Sequence, residues 1–159
     1  MTFENIALII AGTLTALLAG LFFGYAVSVN WGLHRLKDPE YVAAMQSINE
    51  AILNPLFFLS FFGPVLLLPL VTFLHRNANS ELLLLAASVL YIVGTFGLTV
   101  VGNIPLNKKL AKFDLSKASG KEITEARTEF EKPWNRFHAI RTIASIAATV
   151  LIFAACLSS

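Results

Sequence analysis

Near the C-terminal end of this chain Asn135, His138, Arg141 or Thr142, Ser145 and Thr149 recur at steps of three or four, inside a run that is otherwise apolar. At helical spacing they share one face. A second series, Thr95, Thr99 and Asn103, lies four apart, and Asn107 continues it. Ser28, Asn30 and His34 follow the first apolar run, and Tyr25 and Tyr91 add hydroxyls. Polar and ionisable groups in an apolar environment are expensive unless partnered, so a cluster of them marks a binding or reacting centre. Each also has a plain structural reading. Arg141 could snorkel to headgroups, His138 could be a hydrogen-bonded interface residue, and Trp134 could belong to an aromatic belt. His34 could be a solvated loop residue and Asn103 a helix cap. His34 and His138 could approach from two sides to hold a haem or a copper ion, but two histidines without further ligands are a weak basis. No HExxH, CxxC or acidic cluster supplies a metal site, and neither a nucleotide-binding glycine fingerprint nor a Ser–His–Asp arrangement is visible.

The elements that must position these groups follow from composition. The 159 residues are 56% hydrophobic and 14% charged, with mean hydropathy +0.69, against about 25% charged in soluble domains. Charge is nearly absent from residues 6–29, 55–74, 82–102 and 137–157. Each run approaches the ~20 residues that cross a hydrocarbon core. Backbone groups in lipid must satisfy one another, which selects helices, and the runs lack the alternation of barrel strands. The expected fold is all-α: one domain over 1–159, a four-transmembrane-helix bundle embedded in the lipid bilayer. The first run is longer than a signal-peptide core and MTFEN carries no Lys or Arg before it, so it reads as a retained helix. Cys156 is the single cysteine, which leaves the redox compartment undetermined.

Four spans put loops 30–54 and 103–136 on one face, with both termini and loop 75–81 on the other. Eleven of the 12 Lys and Arg fall in the first two loops or just inside the fourth span, and only Arg76 lies opposite. The positive-inside rule then places those loops in the cytoplasm and both termini outside, in a plasma or inner membrane. Each long loop holds a short amphipathic interfacial segment. In the first, Asp38 is the expected N-cap with Pro39 behind it, and Tyr41, Met45, Ile48 and Ile52 share a side. In the second, Ile123, Ala126, Phe130, Trp134 and Phe137 recur at helical spacing. Pro64 and Pro69 suggest bends in the second span. GNIPLN (102–107) reads as the exit of the third helix, because Pro105 pushes Ile104 out of helical geometry, and its asparagines read as one wall of a polar pocket. Gly12, Ala16, Gly20 and Gly24 form a small-residue stripe that serves intramolecular packing or a homodimer.

Together AGLFFGYAVSVNWGL, DPEYVAAMQSINEAILNP, GNIPLN and WNRFHAIRT resemble the anthrone oxygenase-like family, over nearly the whole chain and in the same order. These are small four-helix membrane proteins, many of them without an assigned function. Their N-x-P-x-N and W-N-x-x-H-x-x-R signatures match Asn103, Pro105, Asn107, Trp134, Asn135, His138 and Arg141. The resemblance implies oxidation of an anthrone- or quinone-like aromatic by O₂ without an established cofactor. It implies a base, for which His138 is the candidate, and an oxyanion donor, for which Arg141 is the candidate. Asn103, Asn107, Asn135, Trp134, Asn30 and His34 are the expected ligand-binding residues, and no metal is expected. Two other classes stay open: a non-catalytic membrane protein that binds a lipid, quinone or haem, and a structural or assembly partner. A hydrophobic small molecule is the expected ligand, and nucleic acid is not an expected partner. A transporter fits less well, since no span carries an acidic residue.

Overall fold

A computed structural model of the chain describes residues 2–76 and 78–158. Five helices account for nearly all of them: α1 Phe3–His34, α2 Asp38–Ala51, α3 Pro55–Leu74, α4 Glu81–Ala111 and α5 Gly120–Leu157. All but α2 are long and apolar enough to cross a membrane, and no strand occurs among the described residues. The long helices form a ring in which α1 packs on α3 and α5, and α4 packs on α3 and α5. The bundle core is a continuous cluster that includes Leu18, Phe22, Phe61, Leu68, Tyr91 and Ile152. Its outer face carries large apolar side chains such as Leu66, Val101 and Ile143, each more than two-thirds exposed. Such a surface is stable against lipid and not against water.

Three boundaries differ from the sequence reading. The helix does not stop at GNIPLN. Ile104 keeps helical angles (φ −61°, ψ −46°) and α4 runs on to Ala111. Pro105 lacks an N–H and strands a carbonyl one turn back. The residues before it are π-helical at Leu90–Gly97 and Thr99–Asn103, and the Ile104 N–H bonds the Thr99 carbonyl five residues back. The chain enters the proline in this wider register and the helix continues through it. A second π-helical turn, Tyr25–Val29, lies in α1 and carries it past residue 29 to His34. The amphipathic segment of the second long loop is helical, and it is nearly the first half of α5, continuous through Pro133. Ser119 and Glu122 close its N-terminus reciprocally: the Ser119 N–H donates to the Glu122 carboxylate (2.7 Å) and the Glu122 N–H to the Ser119 hydroxyl (3.4 Å).

The first loop's amphipathic helix is α2. Its cap position is Lys37, one residue before the expected Asp38, and the Glu40 carboxylate accepts from the Lys37 N–H (3.2 Å). Tyr41, Val42 and Met45 are buried against Leu33, Leu110, Phe130 and Trp134. Gln46 ties α2 to the end of α4 by donating to the Leu110 and Phe113 carbonyls (2.8 and 2.9 Å). Arg127 of α5 ties it at the other end, donating to Asp38, Glu131 and the Leu36 and His34 carbonyls. Glycines let α5 approach α4 closely. A Cβ on Gly94 would lie 2.7 Å from the Ala144 Cβ, and one on Gly102 would lie 2.6 Å from the Phe137 ring. The small-residue stripe of α1 is used inside the chain at Gly12, against Ile152, whereas a Cβ on Gly20 or Gly24 would meet nothing within 4 Å.

Candidate functional site

A cavity of about 150 Å³ lies where all five helices converge, under α2. Aromatic and aliphatic side chains make most of its wall, among them Phe22, Tyr25, Phe57 and Phe61. Thr99, Asn107, Trp134, His138 and Arg141 supply the polar part, together with Asn49 of α2.

His138 is 1% exposed. Its Nε2 lies 3.1 Å from the Phe22 carbonyl oxygen, an acceptor only. Nε2 therefore carries the hydrogen, and Nδ1 presents its lone pair. That lone pair accepts from Arg141, whose Nε and Nη2 lie 3.2 and 3.0 Å away. The third-position spacing on α5 puts the two side chains on one face. Trp134 stacks flat on the imidazole (centroids 4.9 Å apart, 11° between planes), and Tyr25 and Phe22 meet it edge-on. Both ring nitrogens of His138 are thus engaged and its ring is held on three sides.

Arg141 is 7% exposed. Besides His138 it donates from Nη1 to the Thr99 hydroxyl (3.2 Å), and its guanidinium carbon lies 4.1 Å from the Phe22 ring centroid. The Thr99 hydroxyl spends its own hydrogen on the Thr95 carbonyl (2.7 Å), which leaves its lone pairs for Arg141. Among the described residues no carboxylate pairs with Arg141. A buried cation held only by neutral groups, facing a largely apolar cavity, has the charge and the N–H groups to receive an anion or oxyanion.

The π-helical stretch of α4 lays Thr95, Thr99 and Asn103, all buried, along α5. Asn103 donates to the Trp134 carbonyl (3.2 Å), and its Oδ1 has no partner. Asn107 accepts from the Trp134 indole (2.7 Å) and so orients the ring that covers His138. Asn103, Asn107, Trp134, His138 and Arg141 thus come together as one connected set.

Asn103 stands behind the cavity wall, and the other three expected residues do not line it either. Asn135 is half-buried on the neighbouring face of α5 with an enclosed, unpartnered Oδ1. Asn30 is half-buried on α1, outside the cavity wall. His34 is exposed and pairs through Nδ1 with Glu131 (2.7 Å). The two-histidine haem or copper pair is therefore not assembled: His34 is committed to Glu131, and His138 has no free ring nitrogen. No group of three His, Cys, Asp or Glu side chains among the described residues could hold a metal ion. Asn49 and Thr99 are wall residues that the sequence reading did not place among the binding residues. Asn49 follows Met45 by four on the apolar side of α2, so a lone amide in that stripe was the available signal.

No curated protein and no solved structure matches the chain. The family model described as anthrone oxygenase matches residues 57–151, from the middle of the aromatic start of α3 to the last turns of α5. The match takes in more than half of the sequence and contains Asn103, Asn107, Trp134, His138 and Arg141, and the chain belongs to the anthrone oxygenase family.

Proposed function

We propose that the protein is a membrane oxygenase that oxidises a hydrophobic, anthrone- or quinone-like aromatic molecule with O₂ in the cavity beneath α2. The observation that carries this reading is the buried Arg141 guanidinium, unpaired by any carboxylate among the described residues, at the end of an aromatic-lined cavity. A ligand carbonyl placed against Arg141 gains a charge-assisted hydrogen bond that strengthens as the oxygen becomes anionic. As the Arg141 N–H groups turn from His138 Nδ1 to that oxygen, the lone pair of Nδ1 is released. Nδ1 then takes a proton from the ligand's acidified CH₂, whose electron pair passes into an enolate. The enolate carbon bonds to O₂, and the proton returns from His138 to the distal oxygen to give a hydroperoxide. Loss of water, from the second C–H hydrogen and the hydroperoxide hydroxyl, leaves a carbonyl. One O₂ is consumed and one H₂O released for each CH₂ converted to C=O. Trp134, oriented by Asn107, keeps the imidazole in place through the cycle. The eleven-to-one bias of positive charge supports a cytoplasmic position for this end of the bundle.

The test is oxygen uptake by the protein in lipid nanodiscs with 1,8-dihydroxyanthrone, against protein-free nanodiscs. Wild type raises the rate with one O₂ consumed per quinone formed. Arg141→Gln and His138→Gln each fall by about 10²-fold or more, the range for losing an oxyanion donor or a general base. Wild-type rates at background, or variants at wild-type rates, would refute it. One observation favours a second reading, a non-catalytic binder of the same molecules: both His138 nitrogens are occupied in the resting arrangement. Saturable binding without oxygen uptake would select it.

A further inference from the structure

The inner cavity is too small for the whole of such a ligand. Its volume of about 150 Å³ is on the scale that takes a single benzene ring, and ordinary ligand pockets run to about 300–1,000 Å³. Beside it, between α2 and the end of α4, lies a groove of about 720 Å³. The two share four wall residues: Asn49, Leu53, Ile104 and Asn107. These form the neck between them. The groove differs in character from the cavity. Glu50, Lys108, Asp114 and Ser116 line it beside Phe113 and Leu115, so its wall carries carboxylates and a lysine that the aromatic cavity wall lacks.

One group at the neck is unaccounted for by the fold. Asn49 Nδ2 is enclosed and has no hydrogen-bond partner. An enclosed donor left unpaired costs about 1–3 kcal/mol, and a group of this kind calls for a partner, a water or a ligand. An amide nitrogen donates only, so the missing partner is an acceptor.

We propose that cavity and groove are the two chambers of one site. It takes an elongated or fused aromatic molecule that carries an oxygen acceptor beyond its first ring. One outer ring fills the inner chamber, and the carbonyl of the ring fused to it faces Arg141. The Asn49 amide donates to the acceptor oxygen at the neck, and the far end, with polar substituents, lies in the groove beside Lys108 and Ser116. Asn49 is then a binding residue that sets ligand length. This deepens the proposed function and rests on its placement of the reacting ring.

Equilibrium binding of two probes to the protein in lipid nanodiscs, by titration calorimetry, tests it. The probes are phenol, which fits the inner chamber alone, and 1,8-dihydroxyanthrone, which must pass the neck. Wild type binds both. Asn49→Leu keeps the bulk and removes the donor; it weakens 1,8-dihydroxyanthrone about tenfold and leaves phenol within twofold. Leu53→Trp fills the neck from a residue that is 64% exposed, and it does the same or more. The proposal is overturned if both variants bind the tricycle as wild type does, or if either weakens both probes equally. Wild type that binds neither probe removes the proposal together with the functional reading. Arg141→Gln that still binds both probes removes the Arg141 anchor alone, and discrimination by the neck variants then still supports the two chambers.

Discussion

Arg141→Met should leave the fold about as stable as before, or more so, while ending ligand binding. Arginine at the centre of a membrane helix costs about 2.5–3.5 kcal/mol on insertion scales. Arg141 meets that cost with bonds to His138 and Thr99 and with the Phe22 ring. Methionine has similar reach and no charge. After the substitution Thr99 still donates to the Thr95 carbonyl and His138 Nε2 still donates to the Phe22 carbonyl. The one group left without a partner is His138 Nδ1, at about 1–3 kcal/mol. Set against that insertion cost, which is an upper value for a residue just inside its span, the balance runs from about 0.5 kcal/mol against the variant to about 2.5 kcal/mol in its favour. At about 2–4 °C per kcal/mol for a chain of this length, the thermal midpoint in detergent should hold to within a degree or two, or rise by several degrees. The same sample should show no binding of 1,8-dihydroxyanthrone. A drop corresponding to about 3–5 kcal/mol, the cost of breaking a buried ion pair, would refute the reasoning. It would mean that a counter-ion faces Arg141 and that the guanidinium is not free to receive a ligand oxygen.

Gly94→Ala should destabilise by about 1–3 kcal/mol through overpacking, because its Cβ would meet the Ala144 Cβ at 2.7 Å and neither atom can rotate away. Adding Ala144→Gly should recover part of the loss, so thermal unfolding of the two single variants and the double variant should show a coupling of about 1 kcal/mol; strict additivity would refute the contact. The Thr124 hydroxyl, and then the Arg127 guanidinium, hold the Asp38 carboxyl below the usual carboxylate range. A carboxyl lowered by folding stabilises above its unfolded value near ~3.9 and loses that contribution as pH falls through the folded value. Wild type should therefore exceed Asp38→Asn in thermal midpoint at neutral pH, with the gap closing in acid; a gap that does not change with pH would contradict the pairing.

The chain's near-uncharged runs were enough to set its class. A helix that spans lipid must satisfy its own backbone, and about twenty apolar residues in a row can do so without knowing their neighbours. The polar residues were legible for a related reason. His138 and Arg141 stand out because an apolar run makes each polar group conspicuous, and their spacing of three puts them on one face of any helix. The Trp134 and Asn107 signatures were legible as residues but not as a bond, since the indole–amide contact joins α5 to α4.

What only the tertiary structure decided depends on bonds between elements. Pro105 predicts a break when it is read locally, yet α4 enters the proline from a π-helical register and runs on to Ala111. That register is stable where Thr99 and Asn103 find partners on α5. His34 and Asn30 carry chemistry of the expected kind, but that His34 pairs with Glu131 and that Asn30 lies outside the cavity wall are placements residue type alone does not show. Asn49 drew no notice in sequence because an amide on a half-buried helix is ordinary; it matters only once α2 is laid across the neck of the cavity. The tautomer of His138 is the sharpest case. It follows from the Phe22 carbonyl, which is a property of the backbone of α1, more than a hundred residues away in the chain and encoded by no side chain.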